Sequence, residues 1–308
     1  MTPTETLIMH WDGESWSIVT SPSPGTHNDV LYGLDAISAG DIWAVGSSSN
    51  SDDSLIPLAM RWDGVRWSVV ATPKTSASFD TLFSVKAFAQ DDAWAVGYQG
   101  ESHLARRTLI MHWDGTSWSI IPSPNPSSAG NALFEVDGIS TNDIWAVGGS
   151  TESALTLHWD GVTWGVVPSP KAGEYSNLEA VAAISADDVW AVGSYYADNA
   201  VRGLIEHWDG TQWNVIPSAD IGDVDVERFI GVVAIRPDDI WAVGNYGSFE
   251  SPEVLIEHWD GTRWTRSPSI SPYALADSLS LDALTATSPD DIWAVGIDAI
   301  IMRYSSDF

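Results

Sequence analysis

Three features of this sequence of 308 residues predict an all-β fold. Its eighteen tryptophans all fall into three registers of one unit that recurs six times, at a period of about fifty residues. Each unit reads as four short strands, and no segment holds a helical period with caps. Six four-stranded antiparallel units predict a six-bladed β-propeller, closed by pairing of N- and C-terminal strands. A stacked solenoid would use far fewer residues per turn. The repeat runs from Leu7 to Trp293 without a linker-like change in composition, so residues 1–308 read as a single propeller domain with a circular offset.

The first register is the Trp of a DIWAVG-type motif, at Trp43, Trp94, Trp145, Trp190, Trp241 and Trp293. The second is the Trp of HWDG, at Trp11, Trp62, Trp113, Trp159, Trp208 and Trp259. The third follows five residues later, at Trp16, Trp67, Trp118, Trp164, Trp213 and Trp264. In the copy from Asn177 to Pro217, LEAVAAIS alternates at period two as strand A, and SADD suits a type I turn. VWAVG is strand B, LIEHW strand C and QWNVIP strand D. Asp-Gly between C and D marks a hairpin, because glycine accepts positive φ. Proline ends most D strands, since its missing N–H stops the ladder.

The chain starts and stops inside a unit. Thr6 to Trp11 and Trp16 to Val19 read as C and D strands, whereas Leu281 to Thr285 and Asp291 to Gly296 read as A and B. These halves predict one composite blade in which the termini meet. The tail from Ile300 to Tyr304 is a twenty-fifth strand, because IIMRYS resembles LIMHWD, and either head or tail takes the last C position. Seven full blades would need more strands than the chain supplies.

A strand A, a WAVG strand ending in glycine, HWDG and a Pro-terminated SWSIIPSP together resemble the kelch repeat of galactose-oxidase-type propellers, in a divergent bacterial form. The likeness covers almost the whole chain, although only Gly148-Gly149 reproduces the paired glycines of that repeat. The DG-x-x-W segment is also similar to the Asp-box turn of sialidase-type propellers. The kelch resemblance implies binding more often than catalysis.

The formal net charge of −29 reflects 13 Lys and Arg against 42 Asp and Glu. Such an acidic surface disfavours nucleic acid and anionic membranes as partners. With no cysteine there are no disulfides, thiolate metal sites or Cys nucleophiles. No apolar run approaches membrane-spanning length, and Met1 to His10 does not read as a signal peptide. The acidic, Lys-poor, Cys-free composition leans towards an extracellular rather than a cytoplasmic location. Nothing in the sequence sets the oligomeric state.

The motif histidines His10, His112, His158, His207 and His258 recur one per unit, with Arg61 in the second copy. That spread separates them too widely to share a metal, and a hydrogen-bonded structural role follows. The Asp pairs Asp91-Asp92, Asp187-Asp188, Asp238-Asp239 and Asp290-Asp291 could bind calcium. Only the second Asp recurs in every copy, which points to turn capping. Tryptophans stack on sugar rings, but six counterparts in apolar strands make packing their first reading. Galactose-oxidase chemistry lacks its cysteine, and no converging Arg cluster with a Tyr nucleophile signals a sialidase. No cofactor, metal or catalytic residue is expected.

In an up-and-down blade the A–B and C–D turns share one face, and the B–C and D–A connections share the other. The second face escapes the repeat, and variable connections on a rigid scaffold are where function resides. Its aromatic and basic residues are the candidate ligand-binding set: Tyr98, His103, Arg106, Arg107, Tyr195, Tyr196, Arg202, Tyr246 and Phe249. They are expected to stand exposed in loops. The leading expectation is a non-enzymatic scaffold that binds a protein or glycan through this face. The alternatives are a glycan-active hydrolase or lyase at the channel mouth, and a structural module of an exported assembly.

Overall fold

Strand and turn make up the described secondary structure of the computed structural model, which covers residues 4–49, 51, 54–75, 77–102, 105–128, 130–222, 224–268, 280–297 and 300–305. The chain clusters into two compact units. One comprises Met1–Val136 with Ser140–Asn142 and Trp159–Gly165; the other comprises Asp137–Ile139, Asp143–His158 and Val166–Phe308.

In the first unit, β1 (Ile8–Trp11) and β2 (Trp16–Val19) form a hairpin sheet of their own. Then come two four-stranded copies: β3 (Asp29–Ser38), β4 (Asp41–Ser49), β5 (Leu55–Trp62) and β6 (Trp67–Val70), followed by β7 (Phe79–Ala89), β8 (Asp92–Gly100), β9 (Arg106–Trp113) and β10 (Trp118–Ile120). Within each copy, neighbours in sequence pair antiparallel. Ile8 and Val19 of the hairpin pack on the buried Leu58, Met60 and Trp67.

The third copy, β11 (Ala132–Ser140), β12 (Asp143–Gly149), β13 (Ala154–Trp159) and β14 (Trp164–Val166), contributes segments to both units. The second unit continues with β15 (Tyr175–Ser185), β16 (Asp188–Ala197), β17 (Ala200–Trp208) and β18 (Trp213–Val215), then β19 (Val226–Arg236), β20 (Asp239–Gly247), β21 (Pro252–Trp259) and β22 (Trp264–Arg266). It ends with β23 (Leu281–Ser288), β24 (Asp291–Gly296) and β25 (Ile300–Tyr304). Here β25 pairs with β24, so the tail strand occupies the C position that a composite blade would give to the head. Arg303 then stands where other copies have His, and Tyr304 where they have Trp.

The motif residues explain how one copy grips the next. The recurring Asp sits at the start of strand B and accepts a hydrogen bond from the facing His Nε2, as in Asp92–His112 (2.9 Å), Asp143–His158 (2.7 Å), Asp188–His207 (2.9 Å) and Asp239–His258 (2.9 Å). The same carboxylate takes the indole N–H of Trp94, Trp190, Trp241 and Trp293. Each imidazole lies against the indole of its own copy, 4.5 Å for Trp94–His112 and 4.4 Å for Trp190–His207. Where Arg replaces His, Arg61 binds Asp41 through Nε and Nη2 and lies 5.0 Å over Trp43. Arg303 does the same with Asp291 and Trp293.

The opposite side of each B-strand indole meets both tryptophans of the following copy. Trp43 packs on Trp113 (5.1 Å) and Trp118 (5.0 Å), and Trp94 on Trp159 (4.9 Å) and Trp164 (5.7 Å). In the second unit Trp145 meets Trp208 and Trp213, Trp190 meets Trp259 and Trp264, and Trp241 meets Tyr304 at 5.2 Å. Trp43, Trp94, Trp145, Trp190 and Trp241 are buried. Packing is therefore the role of this register, while Trp62, Trp159, Trp208 and Trp259 of the HWDG register are half-buried.

Two local devices shape the strands. In the C–D turns the Asp side chain accepts the amides two and three residues on, as Asp63 does from Val65 and Arg66, with Gly64 at φ +90°. The hydroxyls of Thr211 and Thr262, followed by the equivalent turn amides, hold the Asp209 and Asp260 carboxyls well below the ordinary range. The Asp-Gly turns are thus hydrogen-bonded caps, whereas the Asp that opens strand B, expected to cap its turn, instead accepts from the His and Trp side chains of its blade. Among the described residues no cluster of three or more potential metal ligands occurs. In strand A a bulge leaves one residue unpaired, as at Tyr32, Phe83, Glu179, Ile230 and Asp282. Beside the bulge the final glycine of WAVG comes so close that a Cβ at Gly97 would run into the Thr81 carbonyl.

Two stability changes should follow. Trp145→Ala should cost about 3–5 kcal/mol in denaturant melts, as for a large buried ring. Gly97→Ala should cost near the top of the range of about 1–3 kcal/mol for overpacking, because the obstacle is backbone. A loss of a few tenths at either position would contradict the packing described.

Candidate ligand-binding site

Most of the described candidates stand in strands and not in loops; Phe249, between β20 and β21, is in a loop as expected. Strands B and C run on past the repeat as twisted hairpins, so Tyr195, Tyr196 and Arg202 lie in β16 and β17, facing Arg202, Val201 and Tyr195 respectively. The hairpin tip is Asp198-Asn199, with φ of 52° and 61°, as a tight two-residue turn demands. Alternation of β-favouring residues continues the ladder where the sequence ceases to resemble its copies.

In the first unit Tyr98 lies in β8 and is only 4% exposed, which corrects the expectation of a solvent-facing ring. Phe83 packs on it at 5.7 Å, and the Arg106 guanidinium covers it at 4.4 Å. Arg106 is half-buried, and Arg107, paired with Gln99, is exposed. His103 lies outside the described residues. Phe83 also meets Tyr32 at 5.1 Å and Phe134 at 5.7 Å, so three bulge-region rings of successive A strands form a ladder beside Tyr98.

In the second unit Tyr246 faces Glu253 across the β20–β21 ladder and donates its hydroxyl to that carboxylate at 2.6 Å. The Arg266 guanidinium lies 4.0 Å over its ring. Burial, then the Glu253 bond, raises the phenol pKa. Phe249 is the most exposed of the candidate aromatic rings, at 61%. Arg202 is half-buried, with Nη1 donating to the Val224 carbonyl at 2.9 Å.

Two of the candidates, Tyr195 and Tyr196, come together with other groups in a cleft of about 260 Å³ in this unit. Its other lining residues are Ser150, Tyr175, Ser176, Asn177, Ser194, Val201 and Arg228. Tyr175 and Tyr196 are direct cross-strand partners and so share one face of the sheet. Tyr175 is 64% exposed, an unusual position for so large a ring. On the inner strand, Asn177 Nδ2 donates to Glu179. Burial raises the Glu179 pKa, opposed by the charge of Arg228 and by that bond.

The connections that precede β15 and β19 do not line this cleft but hold residues that do. Residues 167–174 lead into Tyr175, and the Glu174 amide donates to the Tyr196 carbonyl at 3.0 Å. A side chain at Gly173, φ +146°, would strike the Tyr195 ring. On the other side, Val201 donates its amide to the Asp225 carbonyl at 2.9 Å. Tyr175, Asn177 and Arg228 were not singled out from sequence. Their signal is departure from the repeat, since the A-strand positions matching Asn177 and Arg228 hold Val30, Thr81 and Ala132.

Repeated antiparallel blades, with a polar, tyrosine-rich cleft at variable strand ends of the second unit, define a β-propeller. Solved structures similar to the chain are propellers too. One titled YCF48 bound to D1 peptide matches with a TM-score of 0.64 at 16% identity, covering 99% of this chain and 88% of that one. YCF48 from Cyanidioschyzon merolae gives 0.57 at 14% identity, covering 90% and 95%. The extracellular domain of BT4673 from B. thetaiotaomicron gives 0.56 at 13% identity, covering 96% of this chain and 35% of that one. At these identities the likeness is one of fold. No protein-family model and no curated protein sequence matches the chain.

Tyr98→Ala should therefore destabilise the protein by about 3 kcal/mol or more, as a buried aromatic truncation does. Phe249→Ala should stay within about 0.5 kcal/mol, the usual range for an exposed position. Paired thermal and urea melts check both, and equal effects would contradict the placements given.

Proposed function

We propose that the protein is a non-enzymatic scaffold that takes an extended segment of a protein partner in the cleft of Tyr175, Tyr196 and Arg228. The observation that carries this reading is the cross-strand pair of an exposed Tyr175 and a half-buried Tyr196, set among serine and asparagine groups able to pair with a peptide backbone. Tyrosine and arginine are the residue types that anchor interfaces. Further support comes from the similar propeller whose structure is titled as bound to a peptide. Tyr246 and Phe249 of the same unit remain candidates beside it, Arg106 and Arg107 are candidates on the first unit, and the unbroken repeat supports one six-bladed domain over 1–308.

The kelch-like kinship rests on the motif resemblance. A glycan ligand is the second reading, favoured by a groove of about 350 Å³ between Trp208, Trp213 and the segment Val167–Pro170, where a half-buried indole could stack on a sugar. Catalysis has less support: in the cleft described, Arg228 and the tyrosines are the only titratable lining groups, and no Asp–His pair lies among them.

Selection from a displayed peptide library on the immobilised protein tests the proposal. Tyr175→Ala and Tyr196→Ala should each weaken a selected peptide about tenfold or more, about 1.4 kcal/mol, with an unchanged melting temperature. Peptides that bind regardless of both changes would place the ligand elsewhere, and an oligosaccharide lost on Trp208→Ala would favour the glycan reading.

A further inference from the structure

One position of the repeat breaks its own chemistry. The residue before the motif His or Arg of strand C is apolar in five copies, Met9, Met60, Met111, Leu157 and Met302, and Met60, Met111 and Leu157 are fully buried. In β17 and β21 the same position holds Glu206 and Glu257, both at 0% exposure. Each carboxyl has one partnered oxygen and one without: Glu206 Oε1 accepts from Ser169 Oγ at 2.8 Å, and Glu257 Oε2 from the Ala219 amide at 3.0 Å, while Glu206 Oε2 and Glu257 Oε1 have no hydrogen-bond partner.

The two bonds land on the two connections that flank the cleft and hold its lining residues, one as each wall's outer support. Ser169 belongs to the segment that continues through Gly173, against Tyr195, to Glu174, whose amide holds Tyr196. Ala219 belongs to the segment that ends at Val224 and Asp225, whose carbonyls hold Arg202 and Val201. We propose that Glu206 and Glu257 are proton-dependent latches, which fasten both walls of the cleft when protonated and loosen them when ionised. This rests on the reading of the cleft as the binding site.

The surroundings of each group decide the direction. Around Glu206 the strand partners are Ala191 and Val215 and the loop partner is Ser169, all uncharged. Around Glu257 they are Ala242, Arg266 and Ala219, with Glu227 near enough to repel. The Arg266 charge and the Ser169 and Ala219 bonds favour the ionised forms, and burial outweighs them. Burial accordingly pushes both carboxyls up to about 7, from an ordinary value of 4.5. A carboxyl raised on folding binds more protons folded than unfolded, so its contribution is full below about 4.5 and is lost as pH rises through about 7. Above that, opening of each wall, which returns the carboxylate to water, becomes favoured by on the order of a hundredfold.

Hydrogen exchange on the full chain reads this without a ligand. Protection of the Ala219 and Glu174 amides, corrected for intrinsic exchange, should fall tenfold or more between pH 5.5 and 8.5, beyond any fall at Ile121. Ile121 bonds to Ile110 in a copy that carries Met111, and serves as the internal control. The variant E206Q/E257Q keeps the acceptor oxygen and cannot ionise, so it should hold its protection at pH 8.5. An equal fall at Ile121, or an equal fall in the glutamine variant, would overturn the latch. Should the variant fail to fold, carboxyl carbon titration of the wild-type chain decides, with two glutamates at midpoints near 7 expected and none above 5.5 overturning it. A selected peptide that depends on Tyr196 should also bind wild type more weakly at pH 8.5 than at 5.5, and the glutamine variant equally at both. Binding to wild type that ignores pH would overturn the coupling while leaving the peptide reading intact.

Discussion

The B-strand indole is the point on which the repeat turns. One side of it takes the imidazole of its own copy, the other takes two indoles of the next, and its strand begins with a carboxylate that holds that imidazole. Aromatic pairs of this geometry contribute about 0.5–1.5 kcal/mol each beyond area burial. The Asp–His bond adds the stiffness of a charge-assisted contact. Trp43 and Trp145 keep the packing although their indole nitrogens have no acceptor, so the stacked rings, more than the N–H bond, are what each copy retains. Arg61 and Arg303 show the same constraint met by other chemistry, a guanidinium that satisfies the carboxylate and covers the ring.

Because this arrangement fixes the A–B and C–D ends of each blade, the other ends are free to vary without loss of the core. The strands use that freedom by growing longer. Hairpins such as β16–β17 carry the ladder outward and present tyrosines on alternating sides, one packed beneath a connection as Tyr195 is, the next facing the cleft as Tyr196 does. The buried glutamates are the converse case, polar groups placed in a register that packing reserves for methionine. Their desolvation opposes the stability that the tryptophans provide, and they do so beside the cleft.

Much of the scaffold was legible in the residues. Period, strand order, Asp-Gly turns and the three tryptophan registers all follow from local chemistry repeated six times, and repetition is what makes a weak local signal decisive. The candidate site was legible only in part. Tyr195 and Tyr196, singled out as candidates, line the cleft. Tyr98 was singled out as exposed and is buried, because a single copy of a tyrosine after WAVG does not say which side of an extended hairpin it will take. Tyr175 and Arg228 carry no motif at all. The glutamates in the methionine register were a readable anomaly, visible once the copies are aligned on their histidines.

The sequence by itself determined the all-β class, the unit, the Asp-Gly turns and the packing role of the B-strand tryptophans, since each depends on neighbours within a few residues or on the same residue one repeat away. Only the tertiary structure decided that the tail strand pairs with β24, that Arg106 covers Tyr98, and that Tyr175, Tyr196 and Arg228 line one cleft. Those facts join residues from different strands through contacts that occur once, and a contact that occurs once leaves no period to read.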